Sequence, residues 1–173
     1  MSAIEERAAV ALGKGTCDRS QRSVGDATRA LTLPHLPYGD AVHAALHTAG
    51  IVPDTMEAGC RVDGASYGKS RLELFLRLEW LPGHEDLAVA HRATGMALEW
   101  SHLVGWTVRF GDDLAVLDAD ELAAPDLLVA AVLEAATEGF GFAWTPPPGA
   151  GRWDFALELD IALVAFDDRG VTR

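Results

Sequence analysis

Residues 71–80 read RLELFLRLEW, and this stretch decides the fold class. Leu72, Leu74, Leu76, Leu78 and Trp80 take every second position, while Arg71, Glu73, Arg77 and Glu79 take those between, with Phe75 among them. Successive side chains of a strand point to opposite faces, so the alternation buries one face and leaves the other in water. That pattern belongs to an antiparallel sheet, because parallel strands are usually buried on both faces.

The same reading extends outward. Met96, Leu98 and Trp100 alternate with Ala97 and Glu99; after a turn at 101–105, Trp106, Val108 and Phe110 alternate with Thr107 and Arg109. These two runs form a hairpin. Gly111-Asp112-Asp113 marks a further turn before a short strand at 114–117, and residues 56–63 form a strand on the upstream side. Residues 81–93 contain Pro82-Gly83 and form a loop or one short helix.

Two stretches have helical period instead. Between Pro37 and Ala49, Val42, Ala45, Leu46 and Ala49 make an apolar stripe, with Asp40 placed in the first turn and Gly50 as the stop. Pro125 opens a second helix to Glu138, lined by Leu128, Val132, Leu133 and Ala136 and ended by Gly139. After the loop TPPPGAG (145–151), Trp153, Phe155, Leu157, Leu159, Ile161, Leu163 and Ala165 share one face and Asp154, Glu158 and Asp160 the other, which reads as a long, bent strand over 153–166. The expected architecture is α+β: an antiparallel sheet with two main helices on one face.

The 173 residues carry 26 acids and 14 bases, a net charge of −12, with 49% apolar residues and a mean hydropathy of +0.10. The apolar share excludes global disorder. Two cysteines exclude a disulfide scaffold. The acidic excess argues against nucleic acid, whose phosphates need Lys and Arg. No run is long and apolar enough to span a bilayer, and the opening MSAIEERAAVALGKG has acids where a secretion signal needs bases. The expected location is the cytoplasm, with Cys17 and Cys60 as free thiols. Asn is absent, Gln21 is the single glutamine, and 12 of the 14 bases are Arg, a bias that fits a GC-rich genome.

Charge divides the chain. Residues 1–34 hold five bases and four acids, whereas 111–151 hold eight acids and no base. Residues 1–33 are read as an arm or linker, helical over 3–12, and 34–173 as one acidic domain.

Candidate chemistry is sparse. Asp40, His43 and His47 share a helix face and could ligate a metal, but they also flank an apolar stripe, where polar residues belong. His84 and His91 bracket EDLAVA and could serve acid–base work, without a partner at defined spacing. Cys60 in EAGCRV has no base beside it, which favours a structural role. Gly13-Lys14-Gly15-Thr16 lacks the spacing and the preceding strand of a phosphate loop. No cofactor is implied.

LEWSHLVGW (98–106), followed by VRF and APDLLVAAVLEAA, together with PYGDAVHAALHTAGI (37–51), resembles a small actinobacterial domain family of unknown function. The resemblance covers residues 35–138 and implies a fold and a source, with no activity. The turn Ser101-His102-Leu103-Val104 departs from the acidic turn of that family.

The functional expectation is a non-catalytic protein-interaction domain of adaptor, chaperone-like or immunity type. It would meet a basic protein partner, or a second copy of itself, through an acidic face and exposed aromatics: Trp100, His102, Trp106, Asp112, Asp113, Asp120, Glu121 and Trp144. The alternative is a small-molecule binder or enzyme with a pocket between sheet and helices. A pocket enzyme would cluster His and acids with perturbed pKa values, and a binding module would expose an apolar patch beside its acids.

Overall fold

In the computed structural model, which describes residues 33–63, 71–139 and 144–170, RLELFLRLEW is the second strand of a five-stranded sheet. The elements run α1 (Leu36–Ala49), β1 (Thr55–Asp63), β2 (Arg71–Trp80), β3 (Met96–Ser101), β4 (Gly105–Phe110), β5 (Asp113–Val116), α2 (Pro125–Glu138) and α3 (Ala156–Gly170). Strands neighbour one another in chain order and all pairs are antiparallel, so the sheet is a meander in an α+β fold.

The alternation decides which face is covered. Leu74, Leu76, Leu78 and Trp80 of β2, Met96, Leu98 and Trp100 of β3, and Trp106, Val108 and Phe110 of β4 are buried in one core with Val42 and Leu46 of α1 and Leu128, Ala131 and Val132 of α2. The opposite face carries alternating charge. Arg77 pairs with Glu79 and, at 2.8 Å, with Glu99; Arg109 reaches Glu99 at 3.3 Å, and Arg61 reaches Glu73 at 2.6 Å while its guanidinium lies over the Phe75 ring. Burial pushes the Glu73 carboxyl up, but hydrogen bonds from Arg61 and Ser101 outweigh it and hold its pKa below the usual value.

Helix α1 begins at Leu36, so Asp40 falls in its second turn rather than its first. Gly50 closes the helix in the left-handed conformation at φ 78°, its N–H donating to the His47 carbonyl. Residues 81–94 are a loop, plugged by buried Leu87 and held by Arg92 donating to the Leu87 and Glu85 carbonyls.

The expected strand over 153–166 is a helix. Ala156, Leu159, Leu163 and Phe166 are its buried residues, at helical spacing. Leu and Ala are the commonest residues of the segment, and these favour helix over strand. A third helix therefore joins α1 and α2 on the covered face. Residues 3–12, the Gly13–Thr16 stretch and Cys17 lie outside the described residues.

Candidate functional site

The tryptophans expected at a contact surface build the core instead. Trp100 and Trp106 face each other across β3 and β4 and are buried. Each indole N–H has a partner: Trp100 donates to the Glu121 carbonyl at 2.7 Å, and Trp106 donates to Tyr38 Oη at 3.1 Å. Tyr38 in turn donates to the Ala123 carbonyl at 2.7 Å, and burial pushes its phenol pKa up. These bonds tie α1 and the 117–124 segment to the sheet. Their apolar strand phase puts both indoles on the covered face.

His102 is buried as well. Its Nδ1 accepts the Leu74 N–H at 3.0 Å, so Nε2 carries the proton and donates to Asp167 Oδ1 at 3.2 Å. Asp167 also accepts from Arg71 at 2.8 Å. The imidazole thereby clamps the C-terminal end of α3 to β2. His35, unremarked in the sequence, stacks on Trp100 and donates from Nε2 to the Phe75 carbonyl at 3.0 Å. Its Nδ1 is buried without a partner among the described residues. Burial pushes its pKa down to about 4.

Accessible apolar side chains cluster on α3 and the turn before it. The isolated bridge between Ala123 and Arg152, and the Trp153 N–H donating to the Leu122 carbonyl at 2.8 Å, fix the chain as it enters this helix. Trp153 then packs on Tyr38, with centroids 5.0 Å apart, and on Phe155 at 5.4 Å. Around it runs a groove of about 720 Å³, lined by Pro34, Pro37, Asp40, Ala41, Trp153, Phe155, Glu158, Leu159 and Ala162. Among the described residues, Asp40 and Glu158 are the charged ones that line it. Beside it, Leu157, Ile161 and Val164 recur at one helical face and are each more than 60% exposed, as Phe155 is at 60%. Helix α3 is thus apolar on an inner and an outer face.

The expected acidic face divides. Asp112 sits exposed in the turn before β5 and Asp113 at its first position, while Asp120 and Glu121 sit exposed past its far end. Asp120 accepts from Arg152 at 2.9 Å, and Arg152 also pairs with Asp160 of α3 at 2.9 Å, which holds its guanidinium pKa up. Asp120 therefore borders the α3 surface, and Asp112 and Asp113 do not join it. Trp144 is half-buried against the core rather than exposed.

Asp40, His43 and His47 lie on α1, yet among the described residues no three His, Cys, Asp or Glu side chains are placed to hold a metal ion. His84 is bound to the Val52 carbonyl at 3.1 Å, and His91 packs on Phe110, so the two do not form one site. Cys60 is an exposed free thiol on β1, its pKa pushed up by partial burial. No helix among the described residues is long and apolar enough to cross a membrane.

The exposed residues Phe155, Leu157, Ile161 and Val164 escaped the sequence reading because the strand phase assigned most of them to a buried face. The spacing of Ala156, Leu159, Leu163 and Phe166 was the signal that could have revealed them. Set against protein-family models, curated proteins and solved structures, the chain matches none.

Proposed function

We propose that this is a protein-interaction domain whose contact surface is the outer face of α3 with the adjoining groove, and that it takes a basic amphipathic segment of a partner protein. The observation that carries this reading is a helix with a second apolar face left in water: Leu157, Ile161 and Val164, with Phe155 in the turn that enters the helix, exposed beyond the buried Ala156, Leu159, Leu163 and Phe166. An apolar helix face left in water beside a groove marks a docking site. The preference for a basic partner follows from charge. Among the described residues the groove is lined by Asp40 and Glu158 and by no base, and the nearby Arg152 is already committed to Asp120 and Asp160. Chain net charge of −12 adds to the attraction.

The test is a selection from a displayed library of helical peptides, half with basic and half with acidic flanks. Basic-flanked amphipathic peptides are expected to bind, to lose affinity to Ile161→Lys, and to weaken with Asp40→Asn and Glu158→Gln. Ile161 is exposed, so the lysine leaves the fold intact. Binding that ignores all three substitutions, or selection of acidic flanks, refutes the proposal.

A further inference from the structure

The two edges of the sheet are not alike. β5 is four residues long, whereas β1 runs nine residues with an unbroken register against β2, from Thr55 opposite Glu79 to Asp63 opposite Arg71. Edge strands are ordinarily blunted by shortness, proline or a bulge, because their free N–H and C=O groups invite pairing. β1 has none of these devices, and no described strand covers its outer side. It also leaves Val62 61% exposed and Cys60 exposed on the side that faces the helices.

We infer that β1 pairs antiparallel with β1 of a second copy of this chain about a two-fold axis at Gly59, joining two five-stranded sheets into one. The sequence of the edge is self-complementary in this register. Glu57 falls opposite Arg61 of the second copy, and Arg61 opposite its Glu57. On the other face Met56 falls opposite Val62, covering the exposed valine. Directly opposed residues of an antiparallel pair share a face, so both charge pairs meet on the open side of the sheet.

Within one chain Glu57 faces Arg77 across the ladder, but the Arg77 guanidinium is committed to Glu79 and Glu99. The row therefore continues with alternating sign across the joint: Glu99, Arg77 and Glu57 of one copy, then Arg61 and Glu73 of the other. Neighbouring registers do worse. An axis at Cys60 sets Glu57 against Asp63, and an axis at Ala58 sets Arg61 against Thr55. The surface lies on the strand edge, apart from the α3 face, so the inference stands independently of the proposed partner site.

The test measures the mass of the full chain by sedimentation velocity over a concentration series. The wild-type chain is expected to move from 18.4 kDa to twice that mass. Glu57→Arg alone sets Arg against Arg, and Arg61→Glu alone sets Glu against Glu. Each turns two symmetric attractions into repulsions and raises the dimer Kd by about tenfold or more. An equimolar mixture of the two variants restores complementary pairs and the double mass. Arg61→Glu also places a carboxylate beside Glu73. Val62→Lys, at an exposed position, therefore serves as the second disruption, with unfolding midpoint unchanged. A wild-type chain that stays monomeric throughout overturns the inference. So does a dimer that survives Val62→Lys and both charge reversals but dissolves with Ile161→Lys.

Discussion

Acidification should destabilise this protein through one buried imidazole. His35 is fully buried, its Nε2–H is spent on the Phe75 carbonyl, and its Nδ1 lies where a proton would find no acceptor. Burial holds its pKa at about 4 against 6.5 in the unfolded chain. The unfolded state therefore binds more protons than the native state between those values, and stability rises with pH there. The contribution is complete above about 6.5, is lost as pH falls towards about 4, and changes no further below. At about 1.4 kcal/mol per pH unit the gap corresponds to about 3 kcal/mol, a large share of a typical domain stability. The assay is urea unfolding followed by tryptophan fluorescence at steps from about pH 7.5 to about pH 4, on the wild-type chain and on His35→Gln. Glutamine keeps an N–H for the Phe75 carbonyl and does not titrate. Carboxylates such as Glu73 titrate in both proteins and cancel in the difference. Wild type is expected to lose about 3 kcal/mol more than the variant over this range. Parallel pH profiles would refute the reasoning, since they would mean that the imidazole is hydrated in the native state.

Three further outcomes follow from the same geometry. Tyr38→Phe strands both the Trp106 N–H and the Ala123 carbonyl in the core and should cost about 3 kcal/mol in denaturant unfolding, the sum of two unsatisfied buried groups. Gly95→Ala should cost about 2 kcal/mol or more in the same measurement. Its φ is +70°, and an added Cβ would stand 2.7 Å from the Trp80 carbonyl oxygen. Arg152→Ala, by contrast, removes two ion pairs whose side chains are all at least 40% exposed, and should lower stability by no more than about 1 kcal/mol, less at high salt.

The meander was legible because a period of two carries its own face assignment: the leucines of β2 and the tryptophans of β3 and β4 could only share one side. The helix starts at Pro37 and Pro125 were legible from local chemistry that needs no tertiary information. Residues 153–166 were not. There the alternation of Trp153, Phe155, Leu157 and Leu159 coexists with a helical pattern, and the segment is apolar at almost every phase, so periodicity alone does not choose. The misreading also hid the candidate site, because it buried the residues that α3 exposes. His102 illustrates another limit. Its turn position predicted accessibility, but its partners Leu74 and Asp167 lie 28 and 65 residues away, and only the folded chain brings them to one imidazole.

The Tyr38 hydroxyl has a kinetic meaning too. Every strand pairing of the meander joins neighbours in the chain, so the sheet can assemble by closing short loops in succession. The bond from Tyr38 to Ala123 joins residues 85 apart, one before the sheet and one after it. Closing that loop costs more entropy than any strand pairing of the sheet and returns its contacts only once the sheet exists to receive both ends. The hydroxyl thus acts as a late latch. Tyr38→Phe is therefore expected to speed unfolding more than it slows folding, which stopped-flow unfolding and refolding rates would check.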